Sequence, residues 1–253
     1  ARSSIGGNAT VSITQYLPFL STAIMAVFTV SVLRRYLARR APAFLFWGIG
    51  LAMFGAGSFA EVYLALAWSP VIFFVWYFFG AVLNAAWIGH GTVYLLFRRR
   101  WVHVLTGILV LGSLGALVLM LQVMPRLDAS HFTPTLPISE QYREIMPPVS
   151  EGGIVRLTTP IFNIYGLLAL VGGALWSAFL FWRKRVLPNR VIGNVLIAVG
   201  ALSIGFASTL TRLGYGSLLY LGELVAAVLM FSGFLRAAAP QPEEAAQPAA
   251  AQA

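Results

Sequence analysis

Three ionisable residues fall inside apolar runs, and they are where chemistry is possible. Glu61 is the only charged residue between Arg40 and Arg98. Arg212 and Glu223 interrupt two later runs in the same way. A charge placed in hydrocarbon costs at least ~2.5–3.5 kcal/mol, so such residues face the interior of a helix bundle and find partners there. Two carboxylates and one guanidinium do not balance, which leaves one carboxyl without a counter-charge. A buried carboxyl of that kind suits proton exchange or an amine ligand. The plainer reading is a polar clamp that joins helices and does nothing else.

Polar residues at helical spacing extend the constellation. Ser58 lies one turn before Glu61, and Ser208 one turn before Arg212. Asn194, Ala198, Ala201, Gly205, Ser208 and Arg212 form a small or polar stripe, which predicts the inward face of their helix. Tyr77, Gly80, Asn84, Trp87 and Gly91 form a comparable stripe. The candidate ligand-binding or clamp set is therefore Glu61, Arg212, Glu223, Ser58, Ser208, Tyr77 and Asn84. His90 sits apart, between Gly89 and Gly91. Glycines on both sides leave room for a planar macrocycle, so His90 is a candidate axial ligand for haem or a chlorophyll-type pigment. The alternative is a histidine bonded to a neighbouring helix. No metal-binding or hydrolase motif accompanies these residues, so no catalytic residue is expected and the chain reads as non-enzymatic.

The elements that position these residues follow from composition. Of 253 residues, 59% are hydrophobic and 10% charged, against about a quarter charged in soluble domains. Membrane-spanning helices need about 20 mostly apolar residues. Seven such runs occur, at 13–33, 44–68, 71–97, 101–124, 160–182, 190–214 and 216–236. The fold class is thus all-α, a polytopic seven-helix bundle in contact with the lipid bilayer. Short "SP" and "GYG" links predict two tight hairpins. Residues 1–12 precede the membrane domain of 13–236, and 237–253 form a low-complexity tail expected to be disordered. The loop 125–159 carries Pro125, Pro134, Pro137, Pro147 and Pro148. A loop of this length is often a lid or binding surface, and "SEQYREI" within it predicts one short helix.

Charge sets the orientation. Arg34, Arg35, Arg39, Arg40, Arg98, Arg99, Arg100, Arg183, Lys184, Arg185, Arg190 and Arg236 all fall at one end of the bundle. Positive residues gather on the cytoplasmic side, so the N-terminus is expected outside and the C-terminus inside, in a bacterial plasma membrane. The net charge of +9 then needs no nucleic acid. It serves topology and contact with anionic lipid. Counting from the helix ends puts Glu61 and Glu223 each about 10 Å deep in the outer half, with Arg212 shallower.

The outline resembles that of microbial rhodopsins and of G-protein-coupled receptors. The residues that define those families are missing: the single Lys is Lys184, in a loop, and the last span carries Glu223 instead. Three functions stay open. One is a protein that binds or senses a small or lipid-like ligand in an outer polar pocket. Another is an accessory subunit of a larger membrane complex, with partner subunits and possible pigment or lipid. The third is a proton-coupled transporter.

Overall fold

The computed structural model describes residues 17–239, except 98, 135, 186 and 214–216, and except the side chains of Arg212 and Ser217. All its regular structure is helical, with no strand among the described residues. Seven helices are long and apolar enough to cross a membrane. They are α1 (Leu17–Arg39), α2 (Pro42–Leu64), α3 (Pro70–Leu96), α4 (Trp101–Arg126), α6 (Val155–Arg183), α7 (Pro188–Arg212) and α8 (Ser217–Ala238). The short α5 (Ile138–Ile145) lies in the long connection between α4 and α6. Residues 1–12 and the tail from 240 onward lie outside the described residues.

Consecutive helices run antiparallel, so the bundle has a basic end, where α1, α3, α6 and α8 finish, and a lid end bearing α5. Helix α1 packs on α2, α2 on α3, α3 on α6, α6 on α7, α7 on α8, and α8 returns to α1. Six helices close a ring, while α4 lies against α3 and α6 at its edge. The outward faces are apolar, with Leu111, Leu168 and Phe206 about two-thirds exposed. Such faces suit lipid contact rather than water.

Several boundaries differ from expectation for local reasons. Helix α2 stops at Leu64, four residues earlier than the hydropathy run, because the next helix begins with its own cap. Ser69 Oγ accepts from the Ile72 amide and Pro70 occupies the first turn, where its missing N–H costs nothing. The hairpin is therefore longer than "SP". Helix α6 starts at Val155 and carries Pro160 inside it. Pro160 falls in the second turn, and the apolar run only begins after it, which is why hydropathy places the start too late.

Helix α3 holds the least expected feature. Residues Val75–Leu83 are wound as a π-helix between two α-helical segments. The wider winding leaves Ala81 with a carbonyl that accepts from Asn163 Nδ2 of α6 at 2.9 Å. Asn84 closes the segment, its Oδ1 accepting from the Ala85 amide. The same stretch crosses α2 at a glycine pair. A Cβ on Gly57 would sit 2.6 Å from the Gly80 Cα, so both positions must lack a side chain.

This crossing yields a prediction. Gly57→Leu should destabilise the purified protein by about 1–3 kcal/mol in detergent unfolding, because neither backbone can yield. Gly115→Ala, where an added Cβ meets nothing within 4 Å, should stay within about 0.5 kcal/mol of the parent. Equal effects would mean that the crossing is not tightly packed.

Candidate functional site

Glu61 and Glu223 come together under the lid end of the bundle. Because α2 ends at Leu64, Glu61 is only about one turn from its helix end, nearer to the lid than the apolar run suggests. Its side chain is nonetheless 2% exposed. The nearest charged neighbour acting on it is the carboxyl of Glu223 on α8, which faces it. Trp76 of the π segment donates its indole N–H to Glu61 Oε1 at 3.0 Å. Ser58, one turn before Glu61, donates to Glu223 Oε2 at 3.5 Å. Glu61 Oε2 accepts from no other donor among the described residues, and the two carboxyls stand within hydrogen-bonding reach of each other, so that a proton on one can join them.

The lid packs directly on this layer. Ile138, Ile145 and Met146 are buried in the same apolar cluster as Phe73, Trp76 and Tyr77. Tyr142 of α5 lies 5.9 Å, ring to ring, from both Trp76 and Tyr77. Tyr77 shares a 3.1 Å hydrogen bond with Thr159 of α6. Tyr220 of α8 lies beside both carboxyls and directs its hydroxyl toward the Ile138 backbone. Outside this stack, Arg143 and Arg156 sit over the Tyr142 ring at 5.9 and 5.8 Å. The loop leading into α5 is held by Gln141, which accepts from the Thr133 amide at 2.8 Å and donates to the carbonyls of Thr133 and Leu136 at 2.9 and 2.7 Å. The long connection is therefore an ordered cap, and its expected helix is present.

The sequence-derived set divides. Glu61, Glu223, Ser58 and Tyr77 belong to the layer or its roof. Asn84 is buried but caps the π segment of α3, nearer the middle of the bundle. Ser208 is exposed. The inward face of α7 keeps Ala198 and Ala201 of the expected stripe but continues through Ala207 rather than Ser208, with Ser203 donating to Gly200 and Gly222 carbonyls. This rotation follows from close packing on α8, where Ala207 fills the gap left by Gly222. Arg212 ends α7, and its side chain lies outside the described part of the structure.

His90 has a different setting from the macrocycle site considered above. It is fully buried, with Nδ1 at 2.6 Å from the Tyr165 hydroxyl and Nε2 at 2.9 Å from Thr106 Oγ1. Both ring nitrogens are engaged, which leaves none to ligate iron or magnesium. The flanking glycines leave no gap either. A Cβ at Gly91 would lie 2.2 Å from Trp47 Cδ1, and one at Gly89 would lie 2.6 Å from the Gly166 carbonyl oxygen. The residues do not fit haem or a chlorophyll-type pigment. They form a helix-to-helix network that continues from Thr106 to Tyr94 at 2.9 Å and from Tyr94 to His103 at 3.1 Å.

Trp76 is the site residue that hydropathy hides. In "FFVWYFFG" it reads as one more lipid-facing aromatic. Within the π segment Trp76, Tyr77 and Phe78 are buried in succession. No metal-binding group of His, Asp and Glu occurs among the described residues. Comparison of the chain with protein-family models, curated proteins and solved structures found no match.

Trp76→Phe removes the one described donor to Glu61 while keeping an aromatic ring. It should cost roughly 1–3 kcal/mol of stability, because a buried acceptor loses its partner. Trp101→Phe, at an exposed position, should be close to neutral in the same melt. If the two variants melt alike, the indole bond contributes nothing to the layer.

Proposed function

We propose that the chain is a non-enzymatic, multi-pass membrane protein that binds or senses a small cationic ligand at the Glu61–Glu223 pair, with its N-terminus outside and its C-terminus cytoplasmic. The observation that carries this reading is the buried Glu61 Oε2, which lacks a donor and whose charged neighbour is another carboxyl. Two carboxyls facing each other are joined either by a shared proton or by a positive group between them, and in this reading a ligand supplies the positive group. A primary ammonium brings three donors and one charge, which matches two carboxyls already supported by Trp76 and Ser58. The roof of Trp76, Tyr77 and Tyr142 also favours a cation, because aromatic faces attract positive charge. The orientation rests on the arginines collected at one end.

The aromatic stack and α5 cover the layer, so a ligand enters as α5 lifts and the stack parts. The bonds between Ser58, Glu61 and Glu223 favour a second reading, in which the carboxyl pair ties α2 to α8 in an accessory subunit of a larger membrane complex. A proton-coupled transporter finds less support. Between Glu223 and the basic end, α8 turns Ala226, Ala227, Met230 and Phe234 inward, while Ser232 faces out.

The two leading readings separate in one experiment. The purified protein is melted in detergent with increasing propylammonium chloride, with sodium chloride as the ionic control. A ligand site predicts a concentration-dependent rise in Tm with propylammonium beyond that with sodium, lost in Glu61→Gln and in Glu223→Gln. A parent protein that responds identically to both salts sinks the ligand reading and leaves the clamp.

A further inference from the structure

The carboxyl layer has a third side, formed by α1. Ser21 of that helix is fully buried, yet its Oγ bonds to nothing among the described residues. A serine or threonine inside an apolar helix can return its proton to the carbonyl one turn back. Thr22 does so, donating to the Pro18 carbonyl at 2.7 Å, and Ser31 does the same with Val27. Two registers place Ser21 at the carboxyls. Helix α1 runs antiparallel to α2, with Leu33 against Gly48 and Met25 against Gly55. Ser21, one turn before Met25, therefore stands level with Ser58 and Phe59. Helix α1 runs parallel to α8, and Phe28 packs on Phe231 and Phe234 at 5.1 and 5.4 Å between ring centroids. Two turns earlier on both helices, Ser21 stands level with residues 224–227, and Glu223 lies about 1.5 Å nearer the lid than the first of these. Helix α1 packs on α2 and α8. A buried Ser21 thus faces the seam between them, where Ser58 donates to Glu223.

The seam collects oxygen atoms from three helices: Ser21 from α1, Ser58 and Glu61 from α2, and Glu223 from α8. Ser58 gives its proton to Glu223 and keeps lone pairs. Glu61 Oε2 accepts from no donor other than the carboxyl it faces. We propose that the cation held in this seam is the ammonium ion. Its four N–H groups match four acceptors: the hydroxyl oxygens of Ser21 and Ser58 and one oxygen from each of Glu61 and Glu223. The Trp76 and Ser58 donors offset the second negative charge. An alkylammonium has only three N–H groups. It sets a carbon against the fourth oxygen, which is then buried unpaired. Ammonium is about the size of a water molecule, so the seam needs no room for a tail. Potassium has nearly the same size and the same charge but forms no directed hydrogen bonds, and four oxygens are fewer than it gathers in water. The inference rests on the reading of the carboxyl pair as a cation site, and adds to it Ser21 and the identity of the ion.

The test melts the full chain in detergent at neutral pH with ammonium, potassium, sodium or propylammonium chloride at matched ionic strength. The proposal expects the rise in Tm to be half-complete at a concentration roughly fivefold lower with ammonium than with propylammonium. Potassium should do no more than sodium. In Ser21→Ala the advantage of ammonium should vanish while the propylammonium response stays. Ser31→Ala, which alters a hydroxyl of the same helix that is bonded to its own backbone, should keep the advantage. Propylammonium acting at an equal or lower concentration than ammonium, or potassium matching ammonium, overturns the ammonium assignment and leaves the cation site standing. An ammonium advantage that survives Ser21→Ala overturns it too. Identical melts in all four salts remove the cation site itself, and this inference with it. Should Ser21→Ala fail to fold, Ser21→Cys carries the same comparison, because its thiol has nearly the same shape and is a weaker acceptor.

Discussion

Two carboxyl groups that face each other, Glu61 fully buried and Glu223 half-buried, constrain the lid half of this bundle. Glu61 from α2 and Glu223 from α8 stand in a layer with little water, and each must be supported or neutralised. Trp76 supports one and Ser58 the other. Placing an indole N–H at that point requires α3 to turn Trp76 inward without losing Tyr77. The π segment carries Trp76 and Tyr77 on its buried side. The π segment in turn frees the Ala81 carbonyl, which Asn163 of α6 takes up. The Gly57–Gly80 crossing brings α2 and α3 close enough for the indole to reach. Helix α5 then closes the layer from above with Tyr142 and Ile138.

The two halves of the bundle differ in how they are filled. Towards the lid, large aromatic rings from α3, α5 and the α2–α3 connection pack on one another. Towards the basic end, small residues of α7 and α8 let those helices pack closely, and the space between the six ring helices is left partly open. Helix α4 lies at the edge of the ring and adds Leu109, Ala116, Met120 and Val123 to the apolar cluster of the lid half. It is held to the ring through Trp87 and Ser113, and through the His90, Thr106 and Tyr94 network. That network gives His90 a structural task, joining α3 to α4 and α6.

Much of this was legible in the sequence, and the failures have physical causes. Hydropathy gives the seven helices directly, since nothing else supplies runs of that length. Burial cost singles out Glu61 and Glu223, because a lone carboxyl in an apolar run must face inward. Serine spacing picks Ser58 for the same face. Ser208 shares that spacing, yet it lies outside, because the rotation of α7 is set by glycine and alanine contacts with α8. Small residues mark a contact face without saying which neighbour it meets. Trp76 was invisible for a related reason: a π-helix changes which residues share a face, and the Asn163 side chain that satisfies its Ala81 carbonyl comes from α6, more than eighty positions away in the chain. The glycines beside His90 suggested space. They are there because Trp47 and Gly166 occupy it.

The central claim is that Glu61 and Glu223 act on each other. A double-mutant cycle tests it most directly, with Glu61→Gln, Glu223→Gln and the double variant unfolded under one set of detergent conditions. Interacting carboxyls should give a coupling energy of about 1 kcal/mol or more, in which the effect of either substitution depends on the other. Additive effects, agreeing within about 0.3–0.5 kcal/mol, would contradict the account, because the two groups would then be independent residues that only share a layer.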